Sequence, residues 1–118
     1  MAEQVIIMPV VALRGLTILP GMVLHFDVNR PKSVAAVEKA MVGDQRLFLV
    51  AQRHPEIVDP ELGELFQVGT VAVVKQLVKL PGKVVRVLVE GLERGELLCL
   101  DSEEPALIGE IGLSLIHI

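Results

Sequence analysis

Residues 69–91 read GTVAVVKQLVKLPGKVVRVLVEG, with two runs rich in β-branched residues on either side of Pro81-Gly82. Proline followed by glycine suits the two central positions of a type II turn. From position 85 to position 89 every second residue is valine, which gives an extended chain one apolar face. The stretch therefore predicts an antiparallel hairpin, with strands Gly69 to Leu80 and Lys83 to Gly91.

Short apolar runs on both sides of this hairpin predict further strands. They are Val5 to Leu13, Met22 to Val28, Leu47 to Ala51, Glu93 to Leu100 and Ala106 to Ile111. Only one segment has convincing helical spacing: it begins at Pro31, a residue suited to a first turn, and ends near Gly43. One helix is too little to cover a parallel sheet, so we predict a mainly β protein with one helix (α+β), folded as a partly closed barrel.

Length and composition exclude several classes of protein. The chain has 118 residues, of which 52% are apolar, so it is one ordered domain and not a disordered segment. The net charge is −4 and only three residues are aromatic, which disfavours nucleic-acid binding. Within residues 70–89 there are four basic residues and no acid. This strip suggests RNA binding across the sheet, or alternatively the solvated outer faces of two strands, and we favour the second interpretation.

The sequence also predicts a soluble cytoplasmic protein. The longest uninterrupted apolar run, Val5 to Leu13, has nine residues, whereas a membrane-spanning helix needs roughly 20. No basic segment precedes it, so it does not have the pattern of a signal peptide. Cys99 is the single cysteine and cannot form an internal disulfide.

No catalytic or metal-binding motif is found. None of the serines lies in a G-x-S-x-G turn, and Ser33 directly follows Lys32, so on a helix the two side chains would diverge. Gly82-Lys83 lacks the remainder of a phosphate-binding loop. The three histidines are widely spaced, and Cys99 lies in an apolar run. We therefore expect no catalysis, no metal and no cofactor in this chain alone.

The order of six short segments is more specific than any one of them. They are PVVALRGLTILPGM at 9–22, KS at 32–33 opening a helix that ends in AM at 40–41, LVAQ at 49–52, LFQVGTV at 65–71, LPG at 80–82 and VLVEGLER at 87–94. In this order and at these intervals, they strongly resemble the N-terminal domain of bacterial Lon, the ATP-dependent protease. The resemblance covers nearly all of residues 5–112.

The resemblance implies a PUA-like β pseudo-barrel that carries one helix and engages unfolded or damaged proteins. In Lon-type proteins this domain precedes a helical region, an ATP-driven motor and a Ser–Lys protease domain that together form a hexamer. ATP and Mg²⁺ would belong to that parent protein. The alternative is a stand-alone Lon-type domain that acts as an interaction or regulatory module.

Six residues are candidates for client contact. The turn-rich stretch after Arg14 holds Leu16, Ile18, Leu19 and Met22, which is more apolar area than an exposed connection usually carries. For any one of these residues, a place in the core is the alternative. The resemblance adds Arg30 and Lys32, which match the basic ends of an Arg-acid-Lys trio linked to substrate contact in the family. Proline replaces the acid at position 31.

The last six residues, 113–118, read LSLIHI. They match the in-frame translation of a transposase adapter used in DNA library preparation (CTG TCT CTT ATA CAC ATC). The competing interpretation is one more native apolar strand. We expect the native domain to span residues 1–112 and residues 113–118 to be adapter-encoded.

Overall fold

The computed structural model describes residues 3–13, 18–53, 65, 68–102 and 106–114. Its elements are β1 (Glu3–Leu13), β2 (Val23–Val28), α1 (Pro31–Val42), β3 (Arg46–Ala51), β4 (Val68–Leu80), β5 (Val84–Ser102) and β6 (Leu107–Ser114). The expectation of a mainly β chain with one helix is confirmed.

The strands form one curved sheet in the order β2-β5-β4-β3-β1-β6, and β6 also pairs with β5. This second pairing closes β5, β4, β3, β1 and β6 into a ring, with β2 attached outside it. All neighbouring pairs are antiparallel except β1 and β3, which are parallel. The predicted pseudo-barrel is therefore confirmed.

β5 is longer than the sequence predicts. Lys83 to Gly91 and Glu93 to Leu100 were expected to be separate strands, but both belong to one strand of 19 residues. Opposite β4, the register shifts so that Leu92 is an extra residue between Gly91 and Glu93. Such a bulge bends a strand without ending it. The bend lets the first part of β5 pair with β2 and the last part with β6.

Two apolar cores lie on opposite sides of β1 and β3. One core fills the ring and includes Phe48 and Ile111. The other lies under α1 and includes Val37 and Leu49. Because alternate residues enter opposite cores, both faces of these strands are buried, and their sequences are runs of consecutive apolar residues.

The helix begins and ends where the sequence predicts. Pro31 is its first residue and Gly43 follows its last turn. Its buried face consists of Ser33, Ala36, Val37 and Ala40. The small side chains on this face let α1 approach the sheet closely, and the helix contacts β1, β3 and β6.

Candidate functional site

The apolar turn between β1 and β2 divides into an inward and an outward part. Ile18 is only 4% exposed and belongs to the core under α1, so it takes the alternative role considered for it and offers no surface for binding. Leu19 and Met22 are 43% and 39% exposed. Leu16 lies outside the described residues. Of the three predicted apolar side chains that the structure describes here, Leu19 and Met22 are therefore exposed and Ile18 is not.

Three hydrogen bonds, one from a β4 side chain and two with the β5 backbone, fix this turn on the sheet. The Thr70 hydroxyl, itself buried, donates to the carbonyl oxygen of Ile18 at 2.6 Å. Gly91 accepts a hydrogen bond from the Gly21 N–H at 2.9 Å and donates its own N–H to the Met22 carbonyl at 2.8 Å. These bonds fasten both ends of the segment, so its apolar side chains are displayed in one arrangement and little conformational entropy remains to be lost on binding.

Two further exposed apolar residues adjoin the turn. Val23 and Leu92 each follow one partner of the hydrogen bond from Gly91 to Met22, and both are largely exposed. We call Leu19, Met22, Val23 and Leu92 the apolar turn surface. Sequence reasoning missed Leu92 because its exposure follows from the bulge in β5. Sequence reasoning also missed Val23, because the apolar run from Met22 to Val28 was interpreted only as a strand.

A second exposed apolar group lies elsewhere, on the outer side of the ring. Val5 and Ile7 of β1 face solvent, and so does Leu98 of β5, which is 41% exposed. β6 lies between these two strands, and a Cβ at Gly112 would rest 3.4 Å from the Leu98 side chain. Variants in this second group can therefore serve as controls for variants in the apolar turn surface.

Arg30 has a structural role that the sequence does not show. Its guanidinium donates hydrogen bonds to the Oε1 atom of Gln52 and to the carbonyl oxygen of Ala12, both at 2.6 Å. Its own carbonyl accepts the first hydrogen bond of α1, from the Val34 N–H. Arg30 therefore joins the start of α1 to the ends of β1 and β3.

The two predicted groups of client-contact residues do not form one compact patch. Met22 precedes β2, whereas Arg30 and the half-buried Lys32 follow it. The six residues of β2 span roughly 17 Å at the usual rise of a strand. Beside Arg30, a cavity of about 210 Å³ lies between the ends of β1 and β2 and the first turn of α1. The basic and apolar residues thus lie at opposite ends of β2.

The basic strip on β4 and β5 is largely paired with acids. Lys75 lies 3.2 Å from Glu90, Lys79 lies 3.7 Å from Glu38, and Arg86 lies 2.8 Å from Asp27. The hydrogen bond from Arg86 holds the pKa of Asp27 below its ordinary value of 3.8. These ion pairs fit the interpretation of the strip as the solvated outer face of the strands and leave little net positive charge for a phosphate backbone.

One cluster of possible metal ligands arises from strand pairing. Cys99 and Asp101 of β5 and Glu110 of β6 place their ligand atoms within 4.8 Å of one another. The half-buried Cys99 has a raised pKa, first because of desolvation and then because of the neighbouring Glu110 and Asp101. The thiol therefore remains protonated at neutral pH and is a weak nucleophile. No sequence motif predicts this group, because Cys99 and Glu110 are brought together only by the pairing of β5 with β6.

Within the described residues, no helix is long and apolar enough to cross a membrane. The fold and the exposed apolar turn define the class of protein to which the chain belongs. A strand ring with one helix, two apolar cores and an exposed apolar turn defines a β-rich pseudo-barrel domain.

Comparisons with known proteins give the family. Residues 7–113 match the family model described as the ATP-dependent protease La (LON) substrate-binding domain. The chain is 49% identical over 111 residues to a Lon protease of Lachnoclostridium phytofermentans, covering 94% of this chain and 14% of that protein. It is 44% identical over 109 residues to Lon protease 1 of Bacillus subtilis, covering 92% and 14%. The chain belongs to the Lon substrate-binding domain family, and it spans about a seventh of the length of these relatives.

Solved structures agree on the fold. The N-terminal domain of Mycobacterium avium complex Lon protease superposes with a TM-score of 0.74 at 20% identity, over 95% of this chain and 56% of that one. A Lon N-terminal domain protein from Xanthomonas campestris gives a TM-score of 0.66 at 17% identity, over 90% and 58%. The fold is therefore shared with Lon N-terminal domains even where the sequences have diverged widely.

Proposed function

We propose that this domain engages unfolded or damaged polypeptide segments for degradation by an ATP-dependent Lon protease. The observation that carries the proposal is the apolar turn surface, displayed by a segment hydrogen-bonded to β4 and β5, in a family described as substrate-binding. Unfolded chains expose apolar side chains that folded proteins bury, and an exposed, fixed apolar surface discriminates in their favour.

Arg30 and Lys32 are proposed to steer clients rather than to hold them. Their positive charges lie at the other end of β2, where they attract acidic segments over about one Debye length. Because a change at Arg30 would also remove its hydrogen bonds to Ala12 and Gln52, we test steering at Lys32. We expect Lys32→Gln to slow association at low salt and to have no effect at high salt.

The remaining features of the parent protein are also proposals. We expect a helical region, a motor that uses ATP and Mg²⁺, and a protease domain, assembled as a homo-hexamer in the cytoplasm. Several copies of this domain in one ring would raise a weak affinity by avidity. Sequencing the genomic DNA beyond codon 112 tests this: an open frame that encodes a nucleotide-binding motif is expected, and an early stop codon would instead mean a stand-alone module.

The binding test uses reduced, carboxymethylated α-lactalbumin, a permanently unfolded protein, with a fluorescent label. We expect weak binding that Leu19→Ser reduces about tenfold, which corresponds to ~1.4 kcal/mol. Leu98→Ser is the matched control, since the residue type and exposure are nearly the same at 41% and 43%. Circular dichroism verifies the fold of each variant.

Two results would contradict the proposal. Equal binding by wild type and Leu19→Ser, together with a loss in Leu98→Ser, would move the client site to the second apolar group. No binding at high micromolar concentration would reject client engagement by this domain on its own.

A further inference from the structure

β2 is the edge strand of the sheet, and part of its outer edge is open. Within the described residues it pairs only with β5, from Val23 opposite Glu90 to Val28 opposite Val85, without a register shift. Near Val28 the edge approaches the end of β1, because Arg30 bonds to Ala12 there. No other strand that the structure describes pairs with the outer edge from Val23 to Asp27.

The hydrogen bonds define which backbone groups face outward. Gly91 donates its N–H to the Met22 carbonyl, and the register of β2 and β5 begins at the next residues, with Val23 opposite Glu90 as a pair of residues that are not hydrogen-bonded to each other. In an antiparallel pair, hydrogen-bonded and non-hydrogen-bonded partners alternate along the strands. Leu24 and Phe26 therefore bond to β5, whereas the N–H and C=O groups of Val23, His25 and Asp27 point away from it. We call these six groups the open edge.

β2 lacks most of the features by which natural proteins block an edge strand. Protected edges are very short or carry charged side chains (lysine above all), proline or a bulge. β2 reads VLHFDV, with neither lysine nor proline; its one charged side chain, Asp27, is paired with Arg86 of β5, and its pairing contains no bulge. An unprotected edge is a template for another extended backbone.

Side chains on both faces of β2 favour an added strand. On the outer face, a shallow depression of about 270 Å³ reaches from His25 across β5 to Val78 of β4, with Leu88 and Arg86 in its floor and walls. On the other face, Leu24 and Phe26 pack on the core but remain partly exposed. A strand beside β2 would place alternate side chains over these two surfaces and bury the remaining apolar area.

We propose that an extended segment of an unfolded client adds to the open edge of β2 as a further strand. This rests on the proposed function and states how the same site holds its client. The occupant follows from the chemistry, since alternating N–H and C=O groups are matched by an extended backbone whatever its sequence. The open edge starts at Val23, within the apolar turn surface, so one client segment reaches both. A second copy of the chain is disfavoured because each copy has a net charge of −4.

Backbone amide hydrogen exchange, measured by NMR on the unmodified chain, tests the pairing directly. On addition of carboxymethylated α-lactalbumin, we expect the N–H groups of Val23, His25 and Asp27 to become protected. The N–H groups of Leu24 and Phe26 are already bonded to β5 and should change little. Docking through side chains alone would not produce protection at alternate residues.

A pair of variants at one position separates the backbone from the side chain. His25→Pro removes an outward N–H and leaves the hydrogen bonds to β5 in place. We expect it to weaken client binding by up to about tenfold, as the loss of one hydrogen bond predicts. His25→Thr keeps the N–H and suits a strand, so it should weaken client binding clearly less than His25→Pro does. Circular dichroism and thermal unfolding verify that both variants fold.

The outcomes that overturn the edge proposal differ from those that overturn the function. Client binding without protection of Val23, His25 and Asp27 would leave the function intact and reject strand addition. Equal loss in His25→Pro and His25→Thr would assign the effect to the imidazole. Protection that appears without client, with dimers in sedimentation velocity, would make a second copy the occupant. Absence of client binding would reject both proposals.

Discussion

Replacing Gly91 by alanine tests how the apolar turn is attached to the sheet. A Cβ at this position would overlap the carbonyl oxygen of Leu19 and would lie 3.1 Å from its carbonyl carbon and 3.3 Å from the Cα of Pro20. These are backbone atoms, so no side chain can rotate to make room. The turn must move away from β5, and the hydrogen bonds that Gly91 makes with Gly21 and Met22 must lengthen or break.

The expected cost follows from these contacts. Overpacking a closed site costs about 1–3 kcal/mol, and each of the two hydrogen bonds contributes about 1 kcal/mol net. If the turn moves away, the steric overlap is relieved but the hydrogen bonds are weakened, so the two costs do not add in full. We expect the free energy of unfolding to fall by about 2–4 kcal/mol. For a domain of this size, that lowers the thermal midpoint by roughly 8–20 °C. Client binding should weaken as well, since Leu19 and Met22 would lose their fixed positions.

Gly112→Ala is the control, because it adds the same methyl group to another buried strand glycine. There the new Cβ would meet only the Leu98 side chain, at 3.4–3.6 Å, which is ordinary van der Waals contact. We expect a change within about 0.5 kcal/mol. Urea and thermal unfolding of both variants measure the difference. Equal stability of Gly91→Ala and Gly112→Ala would refute the claim that Gly91 holds the turn against β5.

Three further outcomes are expected. Arg30→Ala removes the charge-assisted hydrogen bonds to Ala12 and to buried Gln52, and it should lower the free energy of unfolding in urea by about 2–3 kcal/mol. An unchanged free energy would contradict the role of Arg30 in joining α1 to β1 and β3. Leu113→Ala should cost about 2–4 kcal/mol because this side chain is buried, whereas deletion of residues 115–118 should leave the thermal midpoint unchanged. Asp27 has a lowered pKa, so the stability it adds is present above pH 3.8 and is lost as the pH falls through the lowered pKa; unfolding measured between pH 5 and pH 2 should therefore be less pH-dependent in Asp27→Asn.

The hairpin at the centre of the fold could be predicted because its determinants are local. Gly82 adopts a φ of +79°, as the third residue of a type II turn requires. Leu80 pairs with Val84, so the loop has three residues, and Lys83 also has a positive φ of +61°. Proline and glycine determine such a turn through their own backbone preferences, whatever lies around them.

The continuity of β5 could not be predicted in the same way. A glycine followed by a second apolar run is typical of a strand end, and also of a bulge. Gly91-Leu92 is a bulge because β2 and β6 both need a partner strand, and the two halves of β5 supply it. That requirement is tertiary and leaves no mark within a short window of sequence.

The structure also bears on the predicted domain boundary at Gly112. β6 continues through Leu113 and Ser114, past the predicted boundary at Gly112, and Leu113 pairs with Gln4 of β1. The Leu113 side chain enters the core inside the ring. An adapter origin of residues 113–118 stays a prediction, but a leucine at position 113 fits this core whatever its origin.

Two of the candidate residues show why composition alone cannot separate a binding surface from a core. Ile18 and Leu19 are neighbours of similar hydropathy, yet Ile18 is buried and Leu19 is exposed. Arginine is likewise usually a surface residue, but the guanidinium of Arg30 donates hydrogen bonds to Ala12 and Gln52 within the fold. In each case the deciding factor is a backbone direction fixed by distant partners, Thr70 for the turn and β1 for the arginine.

The burial of the central strands constrains where a client can bind. β1 and β3 contribute alternate side chains to two closed cores, so neither face of their shared segment is accessible. Binding must then use the periphery, and β2 is the peripheral strand that continues directly from the apolar turn. Its position outside the ring means that an added strand need not open the ring or disturb either core. Under the proposed function, a client would therefore join and leave at β2 for the cost of its own ordering.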